Sequence, residues 1–317
     1  MEREIGFGGD IPILSTLDEA LTADPRPEAL LIGIAPQGGA LPESWRREIN
    51  RALDAGLDVW SGLHAYLSED PDLAARAAGS GRSLVDLRKP PVDLPVGTGL
   101  AQGTSGMRVL TVGSDCNVGK MTTALEVRRE LEARGVSTAF GATGQTGILI
   151  EGSGIAVDAV VSDFISGATE TLTLAAAGDA DVVLIEGQGS LMHPGYSGVT
   201  LGLIQGSLPE AMILCAMPSR PTIFGGNHDW VVLPSLEEVA RRYEDALAWA
   251  CPDVPGRVVA VSLATYDIGE DEARRAVEDA AAVTGLPATD PVRFGAGPLV
   301  DAVEARRAEI RGETATA

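Results

Sequence analysis

Gly113-Ser-Asp-Cys-Asn-Val-Gly-Lys-Met-Thr-Thr123 is the stretch on which the reading of this chain turns. It follows Arg108-Val-Leu-Thr-Val112, an apolar, β-branched run that reads as a buried parallel strand. It opens into residues 122–134, where Ala124, Leu125, Val127 and Leu131 recur at helical spacing. Strand, glycine-rich turn, Gly-Lys, hydroxyl and helix form the P-loop arrangement. In it, backbone N–H groups and a helix N-terminus cradle a phosphate while Lys120 supplies a point charge. The cofactor-binding set is therefore Gly113, Ser114, Asp115, Asn117, Val118, Gly119, Lys120, Met121, Thr122 and Thr123.

The match to G-x-x-x-x-G-K-[ST] departs in two places. The first glycine sits one residue early, and Met121 occupies the position of the usual hydroxyl residue, leaving Thr122 or Thr123 to serve beside a metal. Lys89 and Lys120 are the only lysines in the chain. A sequence that avoids lysine elsewhere and keeps one here is using its compact, flexible ammonium.

With 317 residues the chain is long enough for two domains with full cores. No apolar run approaches the ~18–20 residues of a membrane span, and the first residues lack a signal-peptide pattern. Cys116, Cys215 and Cys251 are widely spaced and unpaired by motif, which argues for a reducing cytoplasm and against structural zinc. A formal charge of −21 argues against nucleic acid and anionic membrane as partners. A small-molecule substrate and a homo-oligomer are the expected partners.

The first hundred residues read as a small α/β unit. Ile11-Pro-Ile-Leu14 suggests a strand and 17–21 a helix; Ala29-Leu-Leu-Ile-Gly-Ile34 is a strand with the exit loop Ala35-Pro-Gln-Gly-Gly39. Helices are expected over 42–55 and 65–78, and strands over 58–60 and 84–87. Such alternation implies a parallel, Rossmann-like sheet with ligands at the strands' carboxyl ends, although no G-x-G-x-x-G is present. His64 reads as a loop or interface residue, and Arg88 and Lys89 as solvated. Pro90-Pro-Val-Asp-Leu-Pro95 and the glycine-rich residues after it mark a linker, so the domains are drawn as 1–96, linker 97–107 and 108–317.

In the second domain, 137–142 reads as a strand, Thr143-Gly-Gln-Thr-Gly147 as a polar loop and 148–150 as a short extended excursion. Residues 158–177 read as a helix carrying Asp163 and Glu170 among apolar neighbours, where an acid is costly unless solvated or paired. Asp181-Val-Val-Leu-Ile-Glu-Gly187 delivers Glu186 at the end of a buried strand, the Walker-B layout. The loop Gln188-Gly-Ser-Leu-Met-His193 follows it. Residues 211–217 form another strand, ending at Arg220, which is suited to bind a carboxylate bidentately. Helix, strand, helix and helix complete the chain over 236–250, 257–263, 270–284 and 298–310, with a turn-rich connection over 285–295 closing the sheet's edge.

The spacing Gly-Ser-Asp-x-x-Val-Gly-Lys resembles the dethiobiotin synthetase and cobyric-acid-type branch of P-loop proteins, which implies a three-layer α/β/α domain. A closer resemblance covers most of the chain. Leu31-Ile-Gly-Ile-Ala-Pro36, Leu57-Asp-Val-Trp-Ser-Gly-Leu-His64, Asp86-Leu-Arg-Lys-Pro-Pro91, Asp115-Cys-Asn-Val-Gly-Lys-Met-Thr-Thr123, Ala142-Thr-Gly-Gln-Thr-Gly147 and Glu186-Gly-Gln-Gly-Ser-Leu191 together look like DUF1611, a family of two-domain P-loop proteins. The resemblance implies D-glutamate N-acetyltransferase activity in D-amino-acid catabolism. It also implies a strand and helix ahead of the position of Met1, so the chain is expected either to begin inside the first domain or to build that domain differently. The segment 218–229 fits the family pattern only at Pro218 and Arg220.

On that basis the expected enzyme is an acyltransferase with acetyl-CoA held by the P-loop. Glu186 or Asp163 would be the base with His193 behind them, Lys120 the oxyanion partner, and Gln145, Thr146, Ser190 and Arg220 the substrate-binding residues. The same loop suits a kinase or ligase using ATP and Mg²⁺, with Thr122 and Glu186 at the metal. It also suits a nucleotide-binding switch without turnover.

Overall fold

The structure, a computed structural model, describes residues 11–34, 40–225 and 227–312. The chain divides between Lys89 and Pro90 into two compact units. In the first, helix α1 (Leu17–Leu21) precedes β1 (Ala29–Ile32), α2 (Glu43–Asp54), β2 (Asp58–Ser61), α3 (Pro71–Ser80) and β3 (Leu84–Asp86). The strands lie parallel in the order β1-β2-β3. Ile49 and Leu53 of α2 and Leu73 of α3 meet Val59 of β2 in the core.

Three expectations for this unit need correcting. Residues 11–14 form no strand: Ile11 and Ile13 are exposed, and Pro12 lacks the N–H a ladder needs. The helix expected over 65–78 starts instead at Pro71, because Asp70 caps it by accepting from the N–H groups of Asp72 and Leu73. Arg88, read as solvated, is buried beside His64, with Nη2 3.2 Å from the imidazole Nδ1. The glycine loop 35–39 lies outside the described residues.

The second unit holds β4 (Met107–Gly113), α4 (Lys120–Ala133), β5 (Thr138–Gly141), α5 (Gln145–Glu151), α6 (Ile165–Ala177), β6 (Val182–Ile185) and α7 (Ser197–Ser207). Then come β7 (Ala211–Ala216), α8 (Leu236–Ala250), β8 (Arg257–Leu263), α9 (Glu270–Thr284), β9 (Ala288–Thr289) and α10 (Gly297–Arg311). The sheet order is β5-β6-β4-β7-β8-β9, and every neighbouring pair is parallel. Every residue of β4 is buried, and its side chains alternate between two apolar clusters. Leu110 and Val112 face Leu172 of α6, Leu203 of α7 and Leu247 of α8; Val109 faces Leu131 of α4 and Val303 of α10. A sheet buried on both faces requires such continuous apolar strands, and the result is the expected three-layer α/β/α domain. Among the described residues, no helix is long and apolar enough to cross a membrane.

Three local departures have physical causes. The helix expected over 158–177 begins only at Ile165, behind short 3₁₀ turns. The N–H groups of Ile155 and Val157 are drawn to the carbonyls of Ala142 and Thr143, which holds the chain extended up to that point. The excursion expected over 148–150 lies within α5, bounded by Gly144 and by Gly152 at φ +80°. The stretch read as a linker is strapped onto α6. Buried Glu170 accepts from Thr98 N–H and hydroxyl and from Leu100 N–H at 2.7–3.2 Å. Gly167 is obligatory under the strap, since a Cβ there would stand 1.8 Å from the Pro95 carbonyl oxygen.

Burial works against the Glu170 charge, but the bonds from Thr98 and Leu100 outweigh it and hold its pKa below the ordinary range. The stabilisation is therefore complete above the unfolded carboxyl pKa of about 4.3 and is lost as pH falls through the lower folded value. Glu170→Gln is expected to cost about 1–3 kcal/mol of unfolding free energy at neutral pH. Chemical denaturation at a series of pH values should show the gap to the parent closing in acid.

Candidate active site

The candidate site lies at the carboxyl end of β4, where the chain turns to opposite sides of the sheet, the usual crevice for ligands in open α/β folds. From β4 the loop 114–119 runs into the N-terminus of α4 at Lys120. Asn117 at φ +52° and Gly119 at φ +89° curl the loop so that successive N–H groups turn inward. Those of Asn117, Val118 and Gly119 make no hydrogen bond among the described residues. Lys120 is buried, and its Nζ donates to the Asp115 carbonyl at 2.8 Å. Burial pushes its pKa down, and nearby Cys116, Cys215, Asp115 and Glu186 oppose that shift.

Close packing holds the lysine stem. At Gly187 a Cβ would fall 1.6 Å from the Thr111 carbonyl oxygen and 3.1 Å from Lys120 Cδ, so only glycine lets β6 leave the sheet along the lysine. Tyr243 of α8, fully buried, completes the frame. Its hydroxyl donates to the Gly113 carbonyl at 2.7 Å and accepts from the N–H groups of Gly113 and Leu191. Burial raises its pKa to about 12. Sequence reading missed this residue. The signal was its place in line with Val239, Ala246 and Leu247 on the buried face of α8, because a buried phenol must find a partner.

Each residue singled out from the sequence has a definite place. Glu186 stands at the end of β6, its Oε2 accepting from Thr143 and Gly144 N–H groups at 2.9 and 3.1 Å. Burial raises its pKa, those two bonds and Lys120 pull the other way, and Asp158 adds to the rise. Asp158 is a further neighbour that the sequence did not flag. It follows Val157, whose N–H is bonded to the Thr143 carbonyl. Ser190 is fully buried, donating to the Ser114 carbonyl and accepting from Met192 N–H, so it braces the loop against the P-loop. Gln145 is half-buried and Thr146 exposed at the start of α5. Asp163 is exposed on a 3₁₀ turn.

Arg220 donates to the Cys116 carbonyl at 2.9 Å, lies 3.8 Å from the Asp115 carboxylate and covers the Phe224 ring at 4.6 Å. Asp115 accepts from Phe224 N–H at 2.8 Å and from Cys116 N–H at 2.6 Å, so the loop after β7 is stitched to the P-loop.

Asp115, Cys116 and His193 each bring one potential ligand atom within 4.8 Å of the others. The imidazole is badly set for a metal, however. Gly195 N–H donates to His193 Nδ1 at 3.0 Å, so the neutral ring carries its proton on Nε2 and presents a donor there. Side chains suited to a Mg²⁺ are few just after Lys120. Met121 offers only a thioether, and the Thr123 hydroxyl is taken up with Ser262 at 2.7 Å and the Cys215 thiol at 3.5 Å. That leaves exposed Thr122 and one oxygen of Glu186.

Fold and loop together define a two-domain α/β protein with a P-loop domain. Residues 3–90 match the Rossmann-like domain of DUF1611 and residues 95–300 its P-loop domain, each described as a domain of unknown function. The chain belongs to the DUF1611 family. It is 46% identical over 301 residues to a D-glutamate N-acetyltransferase of Tritonibacter scottomollicae, covering 95% of this chain and 88% of that one. A D-glutamate N-acetyltransferase of a Pseudoalteromonas species is 37% identical, covering 86% of this chain and 80% of that one. The crystal structure of a DUF1611 family protein from Anabaena variabilis superposes with a TM-score of 0.90 at 41% identity, covering 96% of this chain and 87% of that one.

Replacing Tyr243 with Phe removes the clasp on Gly113 and Leu191 while keeping the ring. The expected result is a loss of about 1–3 kcal/mol in stability, measured by denaturant unfolding, with the circular dichroism of the folded state unchanged.

Proposed function

We propose that this chain is a D-glutamate N-acetyltransferase that takes its acetyl group from acetyl-CoA and serves the breakdown of D-amino acids. The observation that carries the reading is the pair of relatives bearing that activity at 46% and 37% identity over most of the chain. The site supports it. A backbone cradle with one buried lysine suits a phosphate of CoA, and a loop whose lysine is followed by Met121 suits anion binding without a bound Mg²⁺.

Transfer joins the amine nitrogen to the acetyl carbonyl carbon and breaks the carbon–sulfur bond to CoA. The amine must first be neutral, so a base has to accept its proton. Glu186 takes that role. One of its oxygens is fixed by Thr143 and Gly144, and burial lifts its pKa toward the range where a carboxylate is an effective base. Lys120 and the loop N–H groups hold phosphate oxygens. Thr146, exposed at the start of α5 next to Gln145, is the group open to a substrate carboxylate, and Arg220 stands beside the loop with only part of its guanidinium engaged.

Thiol release from acetyl-CoA with D-glutamate, run beside L-glutamate and beside ATP hydrolysis with Mg²⁺, tests the reading. CoA release that depends on D-glutamate and not on ATP is the expected result. Turnover of ATP stimulated by a carboxylate would replace the reading with a kinase or ligase, and silence in both assays would replace it with a non-catalytic binding protein.

Two variants probe the roles. Lys120→Ala should abolish acetyl-CoA binding by calorimetry while the fold persists. Glu186→Gln should lower kcat by about 100-fold or more. Because only the ionised carboxylate accepts a proton, the parent's rate should fall as pH drops through the raised Glu186 pKa, and that acid limb should disappear in the variant.

A further inference from the structure

The surroundings of His193 fix where its proton sits. Gly195 N–H donates to Nδ1 at 3.0 Å, and a ring nitrogen that accepts such a bond carries no hydrogen of its own. Pro194 between them has no N–H, so the tight turn leaves Gly195 as the local donor. The ring lies against Tyr196 at 4.4 Å and His228 at 4.7 Å between centroids, and the residue is only 3% exposed. Nε2 is the nitrogen left for a ligand, and it makes no hydrogen bond among the described residues. The ring lies beside the Asp115 carboxylate and the Cys116 thiol at the P-loop.

We propose that His193 acts on a bound ligand as a fixed hydrogen-bond donor, offering Nε2–H to an anionic oxygen in the P-loop cleft and exchanging no proton with it. A base at this position would need a lone pair on Nε2, and the Gly195 bond denies it one. Taking up a second proton would need Nδ1 to abandon that same bond. Burial and neighbouring His228 also disfavour the charged ring and prevail over opposing pulls from Asp115 and from the residue's own backbone carbonyl. The titratable groups facing the ring are Asp115 and Cys116 from the P-loop, His228 from the loop after β7, and Tyr196 from its own loop. The acceptor oxygen belongs either to a phosphate of the cofactor or to a carboxylate of the amino acid. The kinetic part of the test rests on the acetyltransferase reading; the spectroscopic part does not.

The chain has three histidines, so ring ¹⁵N spectra of the uniformly labelled full-length protein can be assigned with His193→Gln as the reference. His193 is expected to show a protonated Nε2 and a bare Nδ1 over the interval from about pH 6.5, where a free imidazole is half-charged, to about pH 8. An imidazolium signature within that interval, or the opposite tautomer, overturns the proposal. Addition of acetyl-CoA or of D-glutamate should shift the Nε2–H signal, and the ligand that does so supplies the acceptor. A signal moved by neither, while binding is seen calorimetrically, also overturns it. In kinetics, His193→Ala should lose about ten- to hundredfold in kcat/KM. His193→Gln, which keeps a side-chain N–H, should recover most of that loss with an unchanged acid limb. An acid limb that vanishes in both folded variants would make His193 a proton carrier and sink the idea.

Discussion

The Lys120 ammonium is buried in a chain of formal charge −21 and donates to a carbonyl of its own loop, and much of the second unit is built so that this cation can be carried inside. A buried charge is tolerable only with partners and dipoles around it. β4 supplies the rigid base and the curled loop supplies the carbonyl. The absence of a side chain at Gly187 lets the lysine stem lie against the sheet. Asp115 and Glu186 stand near enough to favour its charge. Asp115 also ties in the loop after β7, Glu186 ties in the start of α5, and Tyr243 braces the loop after β6. Three connections at the sheet's carboxyl edge are thus assembled around one loop.

This division of labour separates groups that hold the site from groups that can meet a ligand. Ser190, Thr123 and Asp115 have hydroxyls or carboxylate oxygens directed to protein partners. The N–H groups of Asn117, Val118 and Gly119 and one oxygen of Glu186 make no hydrogen bond among the described residues, and Thr146 is exposed at the start of α5. A site of that kind binds through backbone geometry first and side-chain chemistry second, which is how an anion cradle recognises the shape of a phosphate group ahead of the molecule attached to it.

The strands of the second unit were legible because a sheet covered on both faces demands unbroken apolar runs, and β4, β6, β7 and β8 each carry one. The P-loop was legible for the same reason, glycine and lysine standing directly after such a run. What escaped were features set by tertiary partners. Nothing local to Ile155 and Val157 says that their N–H groups will go to Ala142 and Thr143 and delay the next helix to Ile165. Nothing local to Thr98 announces the Glu170 carboxylate. Asp163, attractive as an acid inside a supposed helix, is exposed once that helix begins later, while Asp158 comes to lie beside Glu186. Ser190 and Arg220 kept their places by sequence, yet their bonding could be seen only with the P-loop carbonyls in view.

The strap that closes on Glu170 also bears on how this protein could be divided. A fragment cut just ahead of β4 would keep every strand of the larger sheet but leave a buried carboxylate without its donors, and would uncover the glycine surface of α6 shaped to receive Pro95. The smallest autonomous P-loop piece must therefore carry the proline-rich residues upstream, so the segment that looks most like a dispensable hinge is a structural edge of the domain it precedes.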